Sequence, residues 1–295
     1  MASLTGQVNH ALDGILAIGE SRHQAKREGT AAGKIHSWGS YKTHRNRIVP
    51  MTKWCRAHYG IDELQELTPA MVAAYIEDMI SRGLSNKYIQ NTLGSIRKLE
   101  AAMASRGWKP AAGPLAEGLH APGPGEHRYG YSPAEAEAII EHLVATTNDP
   151  RYGRIVRLMY RTGLRIHAAV QLRREDINVE DGRVRAKGKG GKVRWVECAD
   201  LELLIELRDT AAGRFVFDPT PRMIRNVQED INRVRKELGI VTQAAPCHGF
   251  RGVYVEEGYE ERREEGRTDH QARKSLARQL GHKYAKETYA YLPRG

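Results

Sequence analysis

The sequence predicts a mainly α protein with a small antiparallel β-meander: a helical domain followed by an α+β domain. Three observations carry this prediction. Helical periodicity runs through most of the chain, and one stretch, INVEDGRVRAKGKGGKVRWVE, alternates with period two around an Asp-Gly turn and a Gly-rich turn. The third is a composition break at residues 109–130, KPAAGPLAEGLHAPGPGEHRYG, where four prolines and five glycines replace periodic sequence. Such a stretch cannot propagate a helix and reads as an extended linker. It separates residues 36–108 from residues 131–295, each of ordinary domain size. Residues 1–35 precede both as a leader, whose apolar patch ALDGILAIG has no evident place in the helical pattern that follows.

In the first domain, Tyr41–Tyr59 is a candidate helix with Ile48, Met51, Trp54 and Cys55 as its buried stripe. Thr68-Pro69 is an N-cap and first-turn pair, after which Val72, Tyr75, Ile76, Met79 and Ile80 share a face. Ser85 caps a further helix, with Ile89, Leu93, Ile96, Leu99 and Met103 at spacings of three and four. The second domain opens SPAEAEAII, where Ser132 and Glu135 form a capping box around Pro133. A helix around Ile155–Arg161 runs into TGLR, and another passes through Ala168–Leu172 before the meander. Thr220-Pro221 then starts a helix bearing Ile224, Val227, Ile231, Val234 and Leu238. Further helices follow, interrupted by the charged stretch Glu256–Arg267, which reads as an insertion.

Lys and Arg number 46 against 36 Asp and Glu, a net charge of +10 with a pI near 9.5. That balance favours a polyanionic partner, most simply nucleic acid. No apolar run approaches the ~20 residues of a membrane span. The N-terminus lacks the basic region of a secretory signal. Three scattered cysteines, Cys55, Cys198 and Cys247, suit a reducing cytoplasm and form no zinc motif.

Four stretches of the second domain carry residues suited to a phosphodiester: TGLRIHAAVQL with Arg165, AKGKGGKVR with Lys187, Lys189 and Lys192, HGFR with His248 and Arg251, and GHKYAKETYAY with His282 and Tyr291. Attack on a phosphodiester concentrates negative charge on its non-bridging oxygens, and paired guanidiniums are the natural clamp for it. A tyrosine nucleophile must lose a proton and the leaving oxygen must gain one, so a base and an acid are needed.

In this order the motifs resemble the tyrosine recombinase (phage integrase) family over roughly residues 40–292. The resemblance implies a helical core-binding DNA-binding domain followed by a tyrosine-recombinase catalytic domain, the two closing around duplex DNA. It assigns Arg165 and Arg251 to the phosphate, Lys189 to the general acid (Lys187 in the alternative register), His248 and His282 to the phosphate or the tyrosine proton, and Tyr291 to the nucleophile. Tyr291 follows His282 by nine residues and ends the T-x-x-Y run from Thr288, whereas Tyr284 and Tyr289 read as packing or DNA-contact rings.

The implied activity is site-specific recombination of double-stranded DNA through a 3′-phosphotyrosine and a Holliday junction. It is carried out by a homotetramer on two DNA sites, in the cytoplasm of a prokaryote or its mobile elements, with no metal or cofactor. The alternatives are a type IB topoisomerase and a noncatalytic DNA-binding regulator. Three departures from the family pattern stand out. Ala168 occupies the position of the usual acidic residue, the interval between Arg251 and His282 is long, and only four residues follow Tyr291. The last implies protomer contacts made elsewhere, with residues 1–35 the candidate.

Overall fold

A computed structural model describes residues 2–123, 130–188, 191–210, 213–242 and 245–292. The chain divides into two compact units, Met1–Glu126 and His127–Gly295. The first holds α1 (Leu4–Asp13), α2 (Arg22–Arg27), α3 (Trp38–Tyr59), α4 (Pro69–Ser81) and α5 (Asn86–Ser105). Ser3, Ser37, Thr68 and Ser85 each cap the helix that follows by accepting a backbone N–H.

Ile48, Met51 and Cys55 of α3 meet Val72, Ile76 and Met79 of α4 and Ile89, Ile96, Leu99 and Met103 of α5 in one buried core. Full burial of each large apolar side chain contributes about 1.5–3 kcal/mol. Two expectations change here. Ile80 is 43% exposed, because at the end of α4 it has rotated off the buried stripe. The apolar patch expected in a leader belongs to this core: Leu4, Val8, Ala11 and Leu12 of α1 are buried in it, and Ile15 with them. The first part of the expected linker is tied down as well. Ala111 N–H donates to the Gln65 carbonyl at 2.8 Å, the Glu100 carboxylate accepts from the Leu115 N–H, and Leu115 and Ala116 are buried.

The second unit contains α6 (Pro133–Thr146), α7 (Pro150–Thr162), the single-turn α8 (Ile166–Ala169), strands β1 (Ile177–Asn178), β2 (Arg183–Lys187) and β3 (Val193–Glu197), then α9 (Leu201–Asp209), α10 (Pro221–Glu237), α11 (Pro246–Glu264) and α12 (Asp269–Gln279). A 3₁₀ turn, Ala285–Ala290, ends it. The strands form an antiparallel meander in the order β1-β2-β3, with Val184 opposite Ile177 and Val196. The fold is mainly α with one small sheet, as the sequence predicts.

Helix α7 shows how the sequence divides its faces. Ile155, Val156, Met159 and Thr162 are buried, while Arg154 and Arg157 on the opposite side pair with Glu206 at 2.6 Å and Asp200 at 2.7 Å. The charged stretch Glu256–Arg267, expected as an insertion, mostly continues α11 as helix to Glu264. Tyr160 of α7 donates to the Glu257 carboxylate there at 2.8 Å. Among the described residues no helix is long and apolar enough to cross a membrane.

Candidate active site

Among the described residues, the expected site residues lie near the ends of elements, and local chemistry explains where those ends fall. Helix α7 stops at Gly163, whose φ of 61° is left-handed. A Cβ there would lie 2.4 Å from the Tyr254 ring, so glycine is needed for both backbone and space. The turn releases Arg165 as the N-cap of α8, half-exposed, and among the described residues its guanidinium has no protein acceptor.

His248 and Arg251 occupy the first turns of α11, three apart and therefore on one face. Arg251 is fully buried. Its Nε–H donates to Tyr291 Oη at 2.9 Å, its Nη2 donates to the Leu280 carbonyl at 2.9 Å and to His282 Nε2 at 3.1 Å, and its Nη1 donates to the Gly163 carbonyl. Burying a cation is costly unless its donors are satisfied, and here four of the five N–H groups have acceptors. Burial still lowers the Arg251 pKa to about 10, leaving the group charged at neutral pH.

His282 is set by the end of α12. The Gly281 N–H donates to the Arg278 carbonyl and the His282 N–H to the Ala277 carbonyl at 2.7 Å, with Gly281 at φ +71°, the hydrogen-bond pair of a Schellman cap. Because a guanidinium only donates, Nε2 of His282 must accept from Arg251, which places the ring proton on Nδ1, 3.5 Å from the Glu287 carboxylate. Burial, with Arg251 beside it, lowers the His282 pKa to about 4. His248 is lowered too, by burial first and then by Arg251 and Arg165, although part of its surface is open.

Tyr291 caps the terminal 3₁₀ turn, and two neighbours hold that turn in place. Thr288 is fully buried with its hydroxyl on the Ala285 carbonyl at 2.7 Å, and Leu292 is buried against Val255, Leu276 and Leu280. Tyr289 turns away, its ring under Arg273 at 4.3 Å, and Tyr284 is half-exposed between Lys283 and Lys286. Arg165, His282, Arg251 and Tyr291 are thus brought to one place, with His248 at its edge.

Lys189 lies outside the described residues. Lys187 is on the outer face of β2, lining a separate cavity of about 560 Å³ beside Ala168. Lys192 lines the cleft that holds Arg165 and His282, about 490 Å³ in volume. Among the described residues that cleft carries Arg165, Lys192, Arg194, Arg278 and Lys283 against one carboxylate, Glu287.

Arg194 was not among the residues expected in the site. The signal for it is in the strand register. Residues 194 and 196 form the inward face of β3, which Cys198 continues just past the strand, and the first is an arginine where Val196 and Cys198 are buried.

The family model of the phage integrase family matches residues 131–292, more than half of the chain. The tyrosine recombinase XerC of Xanthomonas campestris pv. campestris is 29% identical over 154 residues, covering 52% of this chain and 47% of that protein. XerD of Corynebacterium glutamicum is 27% identical over 183 residues, covering 59% and 58%. The chain thus spans about half the length of the relatives it matches. Its fold is similar to that of the XerH site-specific recombinase in a post-cleavage complex with a difH substrate (TM-score 0.67, 14% identity, 99% of this chain and 93% of that one). Likewise it is similar to a lambda integrase tetramer bound to a Holliday junction (TM-score 0.68, 16% identity, 97% and 79%). With the catalytic unit matched from Tyr131 to Leu292, the chain belongs to the phage integrase family of tyrosine recombinases.

Proposed function

We propose that this protein cuts and rejoins duplex DNA at specific sites through a 3′-phosphotyrosine intermediate. The observation that carries the reading is the shared hydrogen-bond network of Arg251, Tyr291 and His282 beside a cationic cleft that contains Arg165. A phenol oxygen held by one guanidinium, next to a second guanidinium that has no acceptor among the described residues, suits a nucleophile beside an anion site.

In this reading Tyr291 Oη attacks the scissile phosphorus and the P–O5′ bond breaks. The phenolic proton passes to a neutral imidazole. His248 is the candidate, since burial and then Arg251 lower its pKa and keep it neutral, whereas the one acceptor nitrogen of His282 is already taken by Arg251. The departing 5′-oxygen takes a proton from an ammonium group, assigned to Lys189. A 5′-hydroxyl from a second duplex then reverses each step, releasing Tyr291 with its proton. Four protomers on two duplexes, exchanging strands through a Holliday junction, is the assembly that the likeness to the lambda integrase tetramer supports.

The test is covalent capture from a library of nicked duplexes with randomised sequence, in which cleavage releases a short downstream fragment bearing the 5′-hydroxyl, so that the strand cannot be rejoined. The wild-type chain should yield an adduct on a recoverable sequence, and Tyr291→Phe none. Equal yields from both would overturn the reading.

A further inference from the structure

The stretch HGFRG holds two residues that the proposed chemistry uses, His248 and Arg251, and two glycines that it does not. Gly249 and Gly252 lie in the first turns of α11, where glycine is a poorer helix former than alanine, and each follows its functional neighbour by one residue. Being three apart, the glycines share one face of the helix, about 100° round from the face of His248 and Arg251.

The glycine face meets the chain as it enters the second unit. A Cβ on Gly252 would lie 2.7 Å from the Gly130 Cα, and a Cβ on Gly249 would lie 2.3 Å from the Tyr131 ring. The reverse holds as well: a Cβ on Gly130 would lie 2.9 Å from both the Gly249 carbonyl oxygen and the Gly252 Cα. Backbone rests directly on backbone, closer than any side chain would allow. Tyr131 completes the contact. It is 1% exposed, its ring packs against Phe250 at 4.8 Å between centroids, and its hydroxyl donates to the Pro246 carbonyl at 2.8 Å.

The start of α11 has no other anchor of this kind. Helices α6, α7, α9, α10 and α12 each begin at a residue whose side chain accepts a backbone N–H of the first turn. Helix α11 begins at Ala245, which has no side chain able to do so. Its φ of −62° and ψ of 141° nonetheless match the −60° and 141° of Ser85, which does cap α5. The backbone is shaped for a cap, and the residue is alanine.

We infer that Tyr131 is a positioning residue for His248 and Arg251, holding the first turns of α11 at a helix start that carries no side-chain cap. This rests on the proposed cleavage chemistry. A helix turns as a unit, so any rotation about its axis that loosens the contact between Gly130 and Gly252 carries His248 and Arg251 through the same angle. Misplacing a reacting group by about 1 Å can slow a reaction by ~10²-fold. The last residue of the Pro/Gly-rich interval and the first one after it are thus built into the scaffold of the site.

The test follows single-turnover adduct formation against duplex concentration on the sequence recovered from the library. It compares wild-type, Tyr131→Phe and the double variant Tyr131→Phe/Ala245→Ser, with urea midpoints to verify that each is folded. Tyr131→Phe keeps the ring and removes the bond to Pro246. It should lower the rate at saturating duplex by roughly 10–10²-fold and leave the half-saturating concentration unchanged. Ala245→Ser should recover most of that rate by supplying the cap. A saturating rate equal to wild type would make Tyr131 a support of the core alone and overturn the inference. So would a rise in the half-saturating concentration in place of a slower rate, or a slowed rate that Ala245→Ser leaves unchanged. Should Tyr131→Phe fail to fold, Gly252→Ala, which would push Gly130 off the helix, is read by the same two quantities. A wild-type chain no more reactive than Tyr291→Phe would instead overturn the cleavage reading itself.

Discussion

Arg251, buried in the first half of α11, and Tyr291, forty residues later in the terminal turn, are joined by a 2.9 Å hydrogen bond from Nε to Oη. The bond runs from a guanidinium with no contact with solvent, so each partner constrains the other. Tyr291→Phe should abolish covalent capture of nicked duplex while leaving DNA binding nearly intact. It should also destabilise the fold by about 1–3 kcal/mol, because a buried charged donor loses its acceptor. Tyr289→Phe, whose ring lies on Arg273, should retain the adduct. Gel detection of the adduct and urea unfolding of the three proteins check both parts, and the reverse pattern would reassign the nucleophile.

His282 predicts a pH dependence with a definite sign. Its pKa in the folded protein is about 4, below the ordinary 6.5, so the folded state resists the proton that the unfolded state accepts. The corresponding stability is present above pH 6.5 and is lost as pH falls from 6.5 towards 4. His282→Gln should flatten this part of the stability curve, with the remaining slope reporting His248, which shifts in the same direction. Urea midpoints across that range in wild-type and variant measure it. An unchanged slope would show that His282 is accessible to protons in the native state.

For the hairpin, Lys189→Ala should slow cleavage by roughly 10²–10⁴-fold, and a 5′-bridging phosphorothiolate should restore most of the rate, since a thiolate leaves without a proton. Lys187→Ala should need no such rescue, because Lys187 lies on the outer strand face beside a different cavity. Rescue of Lys187→Ala alone would move the general acid by two residues.

Gly163→Ala places a Cβ at a φ of 61° and against the Tyr254 ring. Because Gly163 also supplies a carbonyl to Arg251, the strain reaches the site directly. The expected loss is at least about 1 kcal/mol of stability from the backbone alone, more once the ring must move, together with slowed adduct formation. Retention of both at wild-type levels would show that the turn can be rebuilt without glycine.

Leu12→Ala distinguishes an integral helix from a detachable leader. With Leu12 buried to 0% exposure in the first unit's core, the substitution should cost about 2–5 kcal/mol. A change within error of zero, read by denaturant unfolding, would return α1 to the role of a leader free for contacts between protomers.

Much of this architecture was legible because it rests on local chemistry. Ser132 with Glu135 and Thr220 with Pro221 mark helix starts that the structure places at Pro133 and Pro221, and the Asp-Gly turn separates β1 from β2. The grouping of Arg165, Arg251, His282 and Tyr291 was readable only as a family resemblance, since no periodicity brings residues so far apart in sequence together. What escaped depends on tertiary partners. Ala11 and Leu12 look like part of a loose apolar patch until α3 and α5 supply the rest of their core. Arg194 was overlooked for another reason: in a basic hairpin one more arginine draws no notice, and only the strand register separates it from Arg183 and Arg185 on the outer face. Those two are answered by Asp181 and Asp176, whereas among the described residues Arg194 has no carboxylate partner.

The terminal turn carries a consequence for load. Under the proposed chemistry Tyr291 becomes the sole covalent tether between protein and a broken DNA strand, so any torque or tension in the duplex passes through its backbone. Immediately beyond it Leu292 is wedged among Val255, Leu276 and Leu280, and just before it Thr288 is locked to Ala285. Pulling on the tether therefore strains a plug seated between α11 and α12, the two helices that also hold Arg251 and lead to His282. Under that chemistry, strain on the tether would reach the same packing that positions Tyr291 beside Arg251 and His282.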